Sequence, residues 1–189
     1  MSKTNMFAFI RDDSDDESGE GLDKVIPTGS WTLYFHDVKD DWSTLSTYKK
    51  IGTFKKYADF VPLWDALSDE TLLNGHFFMM RDPIPPMWER SENLYGGTYS
   101  MVIPRAQSAE VYRTYVYAAA TGALAKDPGN KISGICISKK FQSNLITIWN
   151  VNADKYNNPD DINIYNKLDG YVAYKANASK NYDKKPGGK

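Results

Sequence analysis

The chain has 189 residues, enough for one domain with a sizeable core and too few for two full ones. Apolar content is 41% and charged content 25%, no apolar run reaches bilayer-spanning length, and no signal-peptide pattern opens the chain, so a soluble globular protein is expected. The single cysteine, Cys136, excludes an intramolecular disulfide and a cysteine-built zinc site, and points to the cytoplasm or nucleus. The net charge of −1 hides an asymmetry. Residues 1–24 hold seven acids and three bases, leaving 20 bases against 17 acids in the rest of the chain. A mildly basic body suits an anionic ligand of limited size better than a long nucleic-acid track.

In chain order, the acidic run DDSDDESGEG (12–21) lacks a hydrophobic pattern and reads as part of a disordered tail over 1–24, most simply a solubilising one. Strand patterns follow at 30–36, 47–54, 74–81, 97–103, 132–138, 144–151 and 170–176, with KKFQSN (139–144) as a hairpin connection. A helix is predicted near 58–67, where apolar residues recur at helical spacing, with Asp59 as a candidate cap and Pro62 near its start. The longest helix candidate is 108–125, with Ser108 able to cap it, and a third is 158–168, with Asn158 as cap and Pro159 in the first turn. A basic, Gly-rich segment over 177–189 reads as a flexible tail. Strands that do not alternate regularly with helices argue an α+β fold with a mainly antiparallel sheet over 25–176.

Catalytic patterns are missing. His36 and His76 are the only histidines, neither in a metalloprotease motif, and there is no nucleophile elbow, phosphate-binding loop or dinucleotide fingerprint. The chain is therefore read as a binding protein without metal or cofactor, and not as an enzyme.

What stands out is tryptophan. Trp31 and Trp64 are most simply packing residues. Trp42 lies in the polar stretch VKDDWSTLS, and Trp88 in IPPMWE (84–89), where two prolines exclude helix interior and central strand alike. Two loop indoles can converge as parallel plates around a flat ring, preferably a cationic one. Glu89, beside Trp88, would accept hydrogen bonds from N–H donors in that ring's plane. Guanine supplies such donors at N1 and N2, and methylation at N7 makes it cationic, as in the 5′ cap of messenger RNA.

The order WTLYF (31–35), Trp42, ADF (58–60), IPPMWE (84–89), GGTY (96–99) and LITIW (145–149) resembles the cap-binding translation initiation factor 4E family, as a divergent member of trypanosomatid type. The resemblance implies a curved antiparallel sheet of about seven to eight strands, with three helices on its convex face and the cap slot on its concave face. It implies that Trp42 and Trp88 stack on the base, Glu89 pairs with its edge, and Trp149 meets the N7-methyl group. It also implies that Lys140, with Lys139 beside it, grips the phosphates, since Gln142 and Leu145 stand at the family's other basic positions. Partner contacts carry over to Val25, Ile26, Val61, Trp64, Thr114 and Ala118, where a scaffold factor of the 4G type or a repressor would dock on a monomer. Val61 and Thr114 depart from the family's larger side chains. Those departures favour one alternative, a repressor-type cap binder; a second alternative, of another class, is an interaction protein whose slot is vestigial.

Overall fold

The structure is a computed structural model and describes residues 22–165 and 171–178. The expected tails over 1–24 and 177–189 therefore lie almost wholly outside the described residues. Seven strands form one antiparallel sheet: β1 (Trp31–His36), β2 (Lys49–Phe54), β3 (His76–Arg81), β4 (Gly97–Pro104), β5 (Ile132–Lys139), β6 (Ser143–Asn150) and β7 (Val172–Ala176). Their order is β2-β1-β3-β5-β6-β4-β7. Every predicted strand is present, because each is a short β-branched or aromatic run bounded by turn residues.

The helices require corrections. Residues 57–67 form a 3-10 turn, Tyr57–Asp59, followed by α1 (Phe60–Ala66). Asp59 does not cap α1 through its side chain; its carboxylate instead accepts the backbone N–H of Lys55 at 2.7 Å and of Lys56 at 2.8 Å. A helix absent from the sequence reading, α2 (Asp69–Asn74), starts where Ser68 accepts the Thr71 N–H at 3.2 Å. The short α3 (Ser91–Leu94) follows the Pro-Pro loop. The long helix, α4 (Arg105–Thr121), begins directly after Pro104, so Ser108 lies inside it and donates back to the Arg105 carbonyl. It ends at Gly122, whose φ of 81° is the left-handed cap conformation that glycine adopts without strain. Of 158–168, the described residues form only a 3-10 turn, Pro159–Asp161, although Asn158 does cap it.

The expected architecture is corrected accordingly. The sheet is not strongly curled, and the described residues include four α-helices where three were expected. Marked curvature needs bulges repeated across a sheet. Here two of the six strand pairings carry a register irregularity, between Leu33 and Tyr34 and between Ile132 and Gly134.

Alternation within the strands builds two clusters on opposite faces. Trp31, Leu33, Met79, Tyr99, Ile135 and Ile148 join the main core with Phe60 of α1 and Tyr112, Tyr115 and Val116 of α4. Arg113 of α4 ties the helices together: its guanidinium pairs with Asp69 and donates to the Leu67 carbonyl at 3.0 Å. The opposite face carries a smaller cluster of Tyr48, Phe78, Met80, Met87, Cys136 and Trp149. No helix among the described residues is long and apolar enough to cross a membrane.

Candidate functional site

The smaller cluster is the floor of the site, and two loops close over it. The first, between β1 and β2, carries Trp42. Asp41 organises this loop by accepting from the N–H and hydroxyl of Ser43 and the hydroxyl of Thr44, which hold its carboxyl down to about 2. Trp42 stacks on His36 with ring centroids 3.9 Å apart, and meets His76 at 5.3 Å and Phe78 at 6.4 Å in edge arrangements. It nevertheless stays 41% exposed.

The second loop joins β3 to α3 and carries Trp88 and Glu89. Asn93, fully buried at the base of α3, donates its side-chain amide to the carbonyls of Pro85 at 2.8 Å and Met87 at 2.9 Å. Its own Oδ1 accepts from the Ser133 hydroxyl, at the irregular point of β5. The prolines remove two backbone donors, and Asn93 supplies the donors that hold their loop. Met87 is buried beneath it, Trp88 packs half-buried on the floor, and Glu89 is exposed. Gly96, next along the chain, is dictated by proximity: a Cβ there would run into the Asn150 carbonyl.

Tyr48 links the two loops. Its hydroxyl donates to the Trp42 carbonyl at 3.1 Å, and its ring meets Phe78 at 5.5 Å. Burial pushes the Tyr48 phenol up to about 12, and the negative charge of Glu89 adds to the shift. Glu89 therefore lies within electrostatic range of the residue that anchors Trp42. Trp149 is 7% exposed and forms part of the floor, meeting Phe78 edge-on. Lys139 and Lys140 stand on the β5–β6 hairpin at the open end of the site, beside His36 and His76.

Sequence reasoning singled out Trp42, Trp88, Glu89, Trp149, Lys139 and Lys140; of these Trp88 and Trp149 belong to the smaller cluster, Trp42 packs against its Phe78, and Lys139 and Lys140 line a cavity beside His36 and His76. It missed Tyr48, Phe78, Asn93 and the two histidines. Tyr48 and Phe78 sit in ordinary strand patterns, and only the register showed that their rings share the tryptophans' face. The six residues expected at a partner surface are placed apart from this site. Val25 is exposed, Val61, Trp64 and Thr114 are half-buried, and Ile26 and Ala118 are buried. Trp64 is held between Phe60, Tyr112 and Tyr117, with the Arg113 guanidinium 5.6 Å from its ring centre.

His76 gives the site a pH dependence. Burial pushes its imidazole below the ordinary value, with His36 and Lys140 adding to the depression and Asp37 opposing it. The folded form thus binds a proton less readily than the unfolded chain, whose histidines titrate near about 6.5. The stability this contributes is complete above that pH and is lost as pH falls through the folded value. In urea titrations, His76→Gln should lose less stability than the wild type between about pH 7.5 and about pH 5.5. An equal loss in both proteins would assign the acid sensitivity elsewhere.

The family model described as eukaryotic initiation factor 4E matches residues 28–186. The chain belongs to the eukaryotic initiation factor 4E family. It is 26% identical over 125 residues to eukaryotic translation initiation factor 4E-1 of Caenorhabditis elegans, covering 64% of this chain and 59% of that protein. It is 29% identical over 112 residues to the Arabidopsis thaliana factor NCBP, covering 57% of this chain and 49% of the relative. The matched region is therefore well short of these relatives' full length. Among solved structures, C. elegans eIF4E-3 in complex with the 4E-binding protein Mextli and a cap analog superposes with a TM-score of 0.64 at 16% identity, covering 86% of this chain and 96% of that one. Ascaris suum eIF4E-3 with an m2,2,7G cap gives 0.59 at 20% identity, covering 71% and 77%. These identities mark a divergent member of the family, and nothing in the matches ties it to trypanosomatids.

Proposed function

We propose that the chain binds the 7-methylguanosine cap of messenger RNA and acts in translation initiation or its control. The observation that carries this reading is the convergence of the Trp42 loop and the Trp88–Glu89 loop on one aromatic floor, linked through Tyr48 and Phe78. In this reading Trp42 and Trp88 sandwich the methylated base. Glu89 accepts from guanine N1–H and N2–H, and the backbone N–H of Trp88 donates to O6. Trp149 contributes only its small exposed rim, toward the methyl group. Lys140, assisted by Lys139, neutralises part of the phosphate charge.

On the helix-covered side, a scaffold factor of the 4G type or a repressor would meet Val25, Val61, Trp64 and Thr114. A repressor-type cap binder is the second reading. It is favoured by the burial of Ile26 and Ala118, which narrows the surface left to a scaffold. Co-purification from a cell extract on immobilised cap distinguishes the two by the partner retained.

The test of the first reading is tryptophan fluorescence. 7-Methylguanosine diphosphate should quench it, because two indoles stack on the ligand. Guanosine diphosphate should bind roughly tenfold or more weakly, since the neutral base forfeits a cation–π contribution of up to about 2 kcal/mol. Equal quenching by the two ligands would sink the stacked-cation assignment.

A further inference from the structure

The stretch from Asn93 to Gly97 carries the Pro-Pro loop into β4, and the last strand of the sheet holds it in place. Asn177, directly after β7 and fully buried, donates its side-chain amide to the Asn93 carbonyl at 2.7 Å and its backbone N–H to the Gly96 carbonyl at 2.8 Å. Asn93 is the residue whose own amide holds the carbonyls of Pro85 and Met87, so an unbroken run of hydrogen bonds leads from β7 to the platform that carries Trp88. Asn150 fastens the next residue: its Oδ1 accepts the Gly97 N–H and the Tyr174 hydroxyl, both at 3.0 Å. Gly97 permits this approach, since a Cβ there would run into the Tyr174 hydroxyl. Yet β7 is an edge strand of five residues, paired within the sheet with β4 alone. Edge strands open more readily than the centre of a sheet.

We propose that Asn177 is a positioning residue of the cap slot: it latches the Trp88–Glu89 loop to β7, so that cap affinity depends on the docking of that strand. The proposal rests on the cap reading above. Two prolines leave the loop short of backbone donors, and Asn93 replaces them only while its own backbone stays in place. Asn177 supplies a hydrogen bond to that backbone from 84 residues away. Undocking of β7 removes this bond and the one at Gly96 together, and frees the base of the loop. Completing the sheet requires only the ladder pairs up to Gly97 with Ala176; a buried side-chain amide beyond them, aimed at the Asn93 carbonyl, serves the loop. By linkage, a ligand that needs the loop in place tightens the latch by the same factor as the latch tightens the ligand.

The test reads amide hydrogen exchange by NMR on the full chain, with and without 7-methylguanosine diphosphate. In the wild type the ligand should slow exchange of the buried Asn177 amide about tenfold, while the Gly122 amide, which donates to the Ala119 carbonyl at the end of α4, keeps its rate. Asn177→Ala should speed exchange of the Leu94 and Gly96 amides about tenfold, leave the central strands β3 and β5 unchanged, and weaken the diphosphate about tenfold in calorimetry. Acceleration spread evenly over all strands would make Asn177 a packing residue and overturn the proposal. An Asn177 amide that ignores the bound ligand in the wild type overturns it too, and this measurement decides even where the variant does not fold. If Asn177→Ala binds the diphosphate like the wild type, this inference alone is lost. If the wild type itself does not bind, the cap reading falls and takes this inference with it.

Discussion

Trp88→Ala should weaken both the ligand-free fold and cap binding, and the two losses have separate causes. The indole packs half-buried on the cluster of Phe78, Met80, Met87 and Cys136, so its removal leaves a void that the Pro-Pro loop cannot readily fill. Full burial of such a side chain is worth about 3–5 kcal/mol on truncation to alanine, and a half-buried one should cost about 1–3 kcal/mol in urea titrations. Affinity for 7-methylguanosine diphosphate should fall by a further 1–3 kcal/mol or so, the range for base–aromatic stacking. Trp42→Ala should show a comparable loss of affinity with little loss of stability, since Trp42 is 41% exposed and lies on His36 in a loop. The contrast between the variants is the informative result. A Trp88→Ala protein that binds the cap like the wild type would confine this indole to a packing role.

Glu89→Gln should abolish most edge recognition without touching the fold. The side chain is exposed, so stability should be unchanged. The substitution keeps the shape but removes the charge, and turns one acceptor into a donor that faces guanine's own donors. Affinity should fall by about 2 kcal/mol or more, as for loss of a charge-assisted pair that leaves donors unsatisfied. A second readout needs no ligand. The Glu89 charge contributes to holding the Tyr48 phenol up at about 12, so its removal should let Tyr48 ionise at lower pH. Burial, the larger cause, remains in place and keeps the shift from disappearing. If calorimetry gave wild-type affinity while the Tyr48 titration moved, Glu89 would sit where the fold puts it and guanine would be read by another group.

Local pattern alone determined a large part of this protein. All seven strands follow from short β-branched and aromatic runs bounded by turn residues. The loop character of Trp88 follows from Pro85 and Pro86, and the core position of Trp31 from its place at a strand start. The short helices were illegible: α2 and α3 span six and four residues, too few for a helical period to show. The end of α4 at Gly122, by contrast, has a local cause in the residue itself.

Tertiary structure decided the rest, because it depends on contacts between residues far apart in sequence. Strand order β2-β1-β3-β5-β6-β4-β7 and the near absence of strong curl are set by which edges pair and where register slips. Pairing His36 with His76 across β1 and β3 brings the only two histidines together under Trp42. Ile26 and Ala118, apolar residues with nothing local to say which way they face, turn inward. Asn93 lies six and eight residues from the carbonyls it holds, a span in which no short-range motif would relate them. Its burial turns two prolines' lost donors into a fixed platform for Trp88, which only the folded chain could reveal.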